Sequence, residues 1–170
     1  MLTVLTIIMV STIFMMRSFS RARVDLDQAR SIVTEAIRDA QSRAFTSAQL
    51  NGSHRCGYGI HFEQTRYVLY AGPVADETCA AQDPSYDSED DEDVRVVTFP
   101  GNTFELVGVP FDVFFVPPDP TTYVCLSGNC TTPVQNTLVF RRVGASCTAL
   151  APTDECRMLY VSKTGLISTE

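Results

Sequence analysis

The first sixteen residues, MLTVLTIIMVSTIFMM, carry no charge, no glycine and no proline, and Arg17 ends the run. As a helix at about 1.5 Å per residue the run would be roughly 24 Å long, against a hydrocarbon core of about 30 Å. A helix that is apolar on every side has to be surrounded by lipid or by other helices. A secretory signal would place basic residues before such a run and a small-x-small cleavage site after it. Neither is present.

Beyond Ser18 the texture changes. Apolar positions there include Val24, Leu26, Ala29, Ile32, Val33, Ala36, Ile37, Ala40, Ala44 and Phe45. From Ala29 onward they recur every three or four residues, which aligns them along one face of a helix. Arg30, Glu35, Arg38, Asp39 and Arg43 fall on the opposite side, where Glu35 and Asp39 can pair with Arg38 and Arg43. No Pro or Gly occurs between Met1 and Leu50, and the first turn signal is Asn51-Gly52. The pattern predicts a nearly unbroken helix over 1–49, up to about 70 Å long. Its 1–16 part is membrane-like and its 17–49 part amphipathic, with Ala29, Ile32, Val33, Ala36, Ile37, Ala40 and Ala44 as the stripe that meets a globular partner.

Residues 50–170 read as a β-rich head. Arg55–Phe62 and Arg66–Ala71 flank the polar Glu63-Gln64-Thr65 and form a predicted hairpin. Further strands are expected at Val94–Phe99, Phe104–Val107, Asp112–Val116, Thr122–Leu126, Thr137–Val143, Arg157–Val161 and Leu166–Ser168. Pro117-Pro118-Asp119-Pro120 cannot lie inside a ladder and marks a bend. The fold class this implies is α+β, one long helix laid along an antiparallel sheet.

Charge and cysteine usage narrow the function. Acids outnumber bases 20 to 13, for a net charge of −7. Nine of those acids lie between Asp76 and Asp93, where there is no Lys or Arg, so the remaining chain is close to neutral. No basic face of the kind that binds nucleic acid is visible. The segment Asp83–Asp93 lacks the spaced D-x-[DN]-x-[DN]-G order of an EF-hand, so a solvated, self-repelling loop is the first reading and calcium the second. His54 and His61 flank Cys56, but a strand and loop role is the plainer reading, and no hydrolase, zincin or nucleotide-binding motif is found. The expectation is that the protein is not an enzyme. Asn51-Gly52-Ser53 and Asn129-Cys130-Thr131 fit the N-glycosylation pattern.

The six cysteines, Cys56, Cys79, Cys125, Cys130, Cys147 and Cys156, all fall in the head. An even number confined to one globular part suggests disulfides and an oxidising compartment. Zinc is the competing reading, but Cys147-x8-Cys156 is not a spacing that structural zinc sites favour. Of the 15 pairings open to six cysteines, the sequential set 56–79, 125–130 and 147–156 is expected, since each closes a short loop between neighbouring strands.

Several segments together resemble the type IV pilin-like proteins, most closely the H-type pseudopilins and minor pilins of type II secretion and related filament systems. They are Ser18-Phe19-Ser20-Arg21-Ala22-Arg23, the helical run Glu35 to Ala44, the stretch Cys56-Gly57-Tyr58-Gly59-Ile60-His61-Phe62 followed by Tyr67-Val68-Leu69-Tyr70, and the closing Val161-Ser162-Lys163-Thr164-Gly165-Leu166-Ile167. The resemblance implies a structural subunit anchored in the bacterial inner membrane by its N-terminal helix, head outside the cytoplasm, before assembly into a filament. It also implies other pilin or pseudopilin subunits, the assembly machinery and a prepilin peptidase as partners, and a processed, methylated N-terminus. The residues that would contact lipid and later other subunits are Leu2, Val4, Leu5, Ile7, Ile8, Val10, Ile13 and Phe14. No cofactor is implied beyond calcium at Asp83–Asp93.

The family's basic leader, its cleavage point after Gly, and its glutamate near the mature start have no counterpart here. One expectation is that the chain begins at an internal Met, with the leader and a few mature residues missing. The other is that Met1 is the mature start and Leu5 stands where the glutamate would be. Arg17, Arg21 and Arg23 follow the apolar run with no basic residue ahead of it, which by the positive-inside rule would leave the head in the cytoplasm. A missing leader resolves that conflict with the disulfide reading. The alternative function is a membrane-anchored, extracytoplasmic ligand-binding module that does not polymerise.

Overall fold

A computed structural model describes residues 26–75, 79, 83–99, 104–117, 121–126, 128–131, 135–147, 155–162 and 167–169. The apolar run of 1–16 therefore lies outside the described residues. Among those described, no helix is long and apolar enough to cross a membrane.

Helix α1 occupies residues 26–45. Its periodic apolar positions emerge as a continuous buried stripe: Leu26, Ala29, Val33, Ala36, Ile37, Ala40 and Ala44 are all at most 2% exposed, while Ile32 is partly buried. Phe45, one step off the stripe, is 67% exposed. The helix stops four residues short of the predicted boundary. The amide of Ala48 donates to the carbonyl of Arg43 and that of Ser47 to Ala44, with Ser47 at φ 47°. This is the paired-bond termination that a left-handed residue just past a helix end makes, here with Ser in the place more often taken by Gly. The residues thus released pair as strands β1 (Gln49–Leu50) and β2 (Ser53–His54). Asn51 and Gly52 form their turn with φ 53° and 78°, the two left-handed residues that a two-residue hairpin needs. His54, read as a loop residue, is thereby in a strand.

The remaining strands are β3 (Tyr58–Phe62), β4 (Arg66–Ala71), β5 (Glu92–Thr98), β6 (Phe104–Val107), β7 (Phe111–Val116), β8 (Thr121–Leu126), β9 (Asn129–Thr131), β10 (Gln135–Arg142), β11 (Cys156–Ser162) and β12 (Ile167–Thr169). Each predicted strand has a counterpart within a few residues. Apart from the β1–β2 pair, the single expected sheet is, among the described residues, two: a larger one in the order β5-β4-β3-β7-β8-β9 and a smaller one in the order β12-β11-β10-β6, both antiparallel throughout. Strands β6 and β7 are neighbours in sequence yet belong to different sheets, separated by Gly108-Val109-Pro110, where the proline has no amide to donate to a ladder.

One apolar cluster joins the helix to both sheets. The α1 stripe shares it with Tyr58, Ile60 and Phe62 of β3, Val113 and Phe115 of β7, Leu106 of β6, Phe140 of β10, and Leu159 and Val161 of β11. The alternation along β3 and β7 follows directly, since residues two apart share a face of the sheet. Polar contacts brace α1 at two points. Asp27 accepts from Arg157 Nε of β11 at 2.8 Å, and Asp39 is 3.3 Å from Arg95 of β5 while also pairing with Arg43 at 2.9 Å. Ion pairs of this exposure are each worth under about 1 kcal/mol, so the buried stripe carries most of the docking. Ile37→Ala is expected to lower unfolding free energy by about 2–4 kcal/mol, as burying a cavity in place of a core side chain does. Phe45→Ser should change it by under about 0.5 kcal/mol. Urea denaturation of the two variants beside the parent protein checks both.

Candidate functional site

The face of the larger sheet turned away from α1 is where chemistry-bearing side chains gather. On β3 the residues of that parity are Gly59 and His61, beside Asp112 and Phe114 of β7 and Val68 and Tyr70 of β4. Gly59 is opposite Tyr70 on one side and Phe114 on the other. A Cβ there would fall 2.5 Å from Tyr70 Cζ and 2.8 Å from Phe114 Cδ2, closer than atoms can approach. The missing side chain is the space into which both rings fold, and they stack at 5.7 Å between centroids. Val68, Tyr70 and Phe114 form a second, smaller apolar cluster, with Tyr86, Val116 and Tyr123 packed against it.

The segment 83–91 covers this cluster. Tyr86 lies between His61 and Tyr70, with ring centroids 4.7 Å and 5.0 Å away, and its hydroxyl donates to Asp93 Oδ1 at 2.8 Å. The Tyr70 hydroxyl, itself buried, donates to the carbonyl of Pro84 at 3.0 Å. Burial pushes the Tyr70 phenol well above its ordinary value. Burial first, and then the bond to Asp93, push Tyr86 up to about 12. Both phenols therefore stay protonated donors across the physiological range. The acidic segment is not simply a solvated loop: Asp87, Glu89 and Asp90 are exposed as expected, whereas Pro84, Ser85, Tyr86 and Asp91 are partly buried. Self-repulsion is relieved because carboxylates accept backbone amides, Asp83 from Ser85 at 3.0 Å, Asp87 from Glu89 at 2.9 Å and Asp91 from Asp87 at 2.9 Å.

Beneath Tyr86 sits a His–carboxylate pair. His61 Nδ1 is 2.5 Å from Asp112 Oδ1, and Asp112 is 6% exposed. The sequence placed His61 on a strand, as found, but the register that brings Asp112 beside it depends on β3 pairing β7 across fifty residues of chain. A lone tyrosine inside an acidic run was the available sign that the segment docks. Near the other edge of the head, Glu92 receives Asn51 Nδ2 at 2.5 Å and also pairs with Arg55, tying the β1–β2 turn to β5. Among the described residues no group of three or more His, Cys, Asp and Glu is arranged to hold a metal ion.

All six cysteines are paired, and in the sequential set: Cys56–Cys79, Cys125–Cys130 and Cys147–Cys156, with Cα separations of 5.2, 3.9 and 6.0 Å. Cys125 and Cys130 are register partners on β8 and β9. The helix-stripe residues lie together against both sheets, on the opposite side of the larger sheet from the His61–Asp112 pair, so the two sets do not form one site. The positions Leu2 to Phe14 lie outside the described residues. No family model, no curated protein and no solved structure matches this chain.

Opening Cys56–Cys79 releases a cross-link that spans 23 residues and tethers the start of the acidic segment. The double variant Cys56→Ser, Cys79→Ser is expected to lose about 3 kcal/mol of stability by the chain-entropy relation, read by thermal and urea melts. Peptide mapping without reduction should recover the three sequential pairs, and a crossed pair would contradict them. Gly59→Val should be destabilised by about 1–3 kcal/mol or more, since it forces the Tyr70–Phe114 stack apart.

Proposed function

We propose that the protein is a structural subunit, a minor pilin or pseudopilin, of a type IV pilus or type II secretion-like filament. It is held in the inner membrane by its N-terminal segment before assembly, with the head outside the cytoplasm. The observation that carries this reading is the contrast, along the sequence, between helix α1 and the apolar run that opens the chain. Helix α1 is packed by a stripe of small and branched residues into the core of a disulfide-bearing β head. The first sixteen residues are a charge-free apolar run, and Arg17, Arg21, Arg23 and Asp25 lie between that run and the packed helix. Such a run would be taken up by lipid or by neighbouring helices, while helix α1 belongs to the head. Three disulfides support an oxidising, extracytoplasmic location for the head.

In this reading association energy comes from burying the side chains of Leu2 to Phe14 between subunits. Each fully buried Leu, Ile or Phe is worth about 1.5–3 kcal/mol before the entropy of assembly is subtracted. A charge in that face meets a large desolvation cost in lipid or in a helical bundle. Ile8→Asp is expected to reduce incorporation into sheared filaments at least tenfold while leaving the head folded, with its disulfides intact. Normal incorporation of that variant would overturn the assembly reading. A protein that stays in the membrane, binds a ligand and never enters filaments would establish the anchored module in its place.

A further inference from the structure

We propose that segment 83–91 is a pH-responsive latch, tightened by acid, over the aromatic face of the larger sheet. Its ends are fixed: Cys79 is bonded to Cys56 on one side, and β5 begins pairing with β4 at Glu92 on the other. Among the described residues the segment is held by the Tyr86 ring against His61, Tyr70 and the apolar cluster, by the Tyr86–Asp93 and Tyr70–Pro84 bonds, and by Asp83 Oδ1 3.6 Å from Cys130 Sγ. What it covers is apolar and fully buried, with Tyr70, Phe114 and Val68 at most 3% exposed. Release is therefore a local event with a defined product, an uncovered aromatic patch.

Acid sensitivity follows from where Asp91 sits in the docked segment. Its carboxyl is partly buried beside the charges of Asp87 and Asp90 from the segment itself and of Asp112 from β7. Other ionisable groups of the same neighbourhood are Asp83 and Tyr86 on the segment, Asp93 on β5, Tyr70 and Arg66 on β4, and His61 on β3. Burial is the largest effect on Asp91 and the neighbouring carboxylates add to it, against the opposing bond from the Asp87 amide. Together they raise it to about 6. In a released segment the same carboxyl returns to the ordinary value near 3.9. The docked state thus holds a proton more tightly than the released one. Docking is strongest below the ordinary carboxylate value and weakens as pH rises through about 6.

The test is amide protection at Asp87, Glu89, Asp90 and Asp91 in the intact protein, followed by NMR from about pH 4 to about pH 8 and corrected for intrinsic exchange. Protection should fall about tenfold between about pH 4 and about pH 6 and level off above that, less than the full linkage would allow because the carboxyl is only partly buried. Asp91→Asn, which keeps an acceptor for the Asp87 amide, should give a flat profile at the high-protection level. His61→Gln should leave the wild-type profile in place. A flat profile in the parent protein overturns the latch. So does a transition that persists in Asp91→Asn, or one that disappears in His61→Gln.

Discussion

Everything else in this head depends on one contact, the burial of the α1 stripe against two sheets at once. Ala29, Ala36, Ala40 and Ala44 are small enough to let the helix backbone approach the strands closely, and Val33 and Ile37 fill the space that remains. Each sheet has an apolar face, and neither sheet alone would cover its own. With the helix between them, β3 and β7 of one sheet and β6, β10 and β11 of the other share a single core. The ion pairs at Asp27 and Asp39 set the helix direction over that core and add little to its free energy.

The inward face packs on the helix, and the outward face of the larger sheet carries a second, separate cluster. There the absence of a side chain at Gly59 makes room for stacked rings, and the acidic segment closes over them by inserting Tyr86. Backbone amides donate to carboxylates within the segment, and the Tyr86 phenol donates to Asp93, which offsets part of the charge as it docks. Asp91 is the residue for which that compensation is incomplete.

The division between the stripe and the run before it gives the proposed filament role its physical sense. A subunit that must leave a membrane and enter a filament needs a head whose stability does not depend on the surroundings of its distal helix. Residues 26–45 meet that need within the head, and the three disulfides reinforce it.

Local patterns along the chain were enough for several features. The three-and-four spacing from Ala29 identified the buried helix face, alternation and turn residues located the strands, and loop length singled out the disulfide pairs. These signals are local, since each depends on residues within a turn, a strand or a short loop of one another. The helix end at residue 45 was not legible, because the absence of Gly obscured a termination that Ser47 makes in a left-handed conformation. Nor was the split into two sheets, the His61–Asp112 pair, or the docking of Tyr86. Those depend on strands meeting across tens of residues, and the energies that select one such pairing over another arise only when the common core is packed. The sequence by itself determined which residues must be buried and which cysteines could meet; the tertiary structure alone decided what they are buried against.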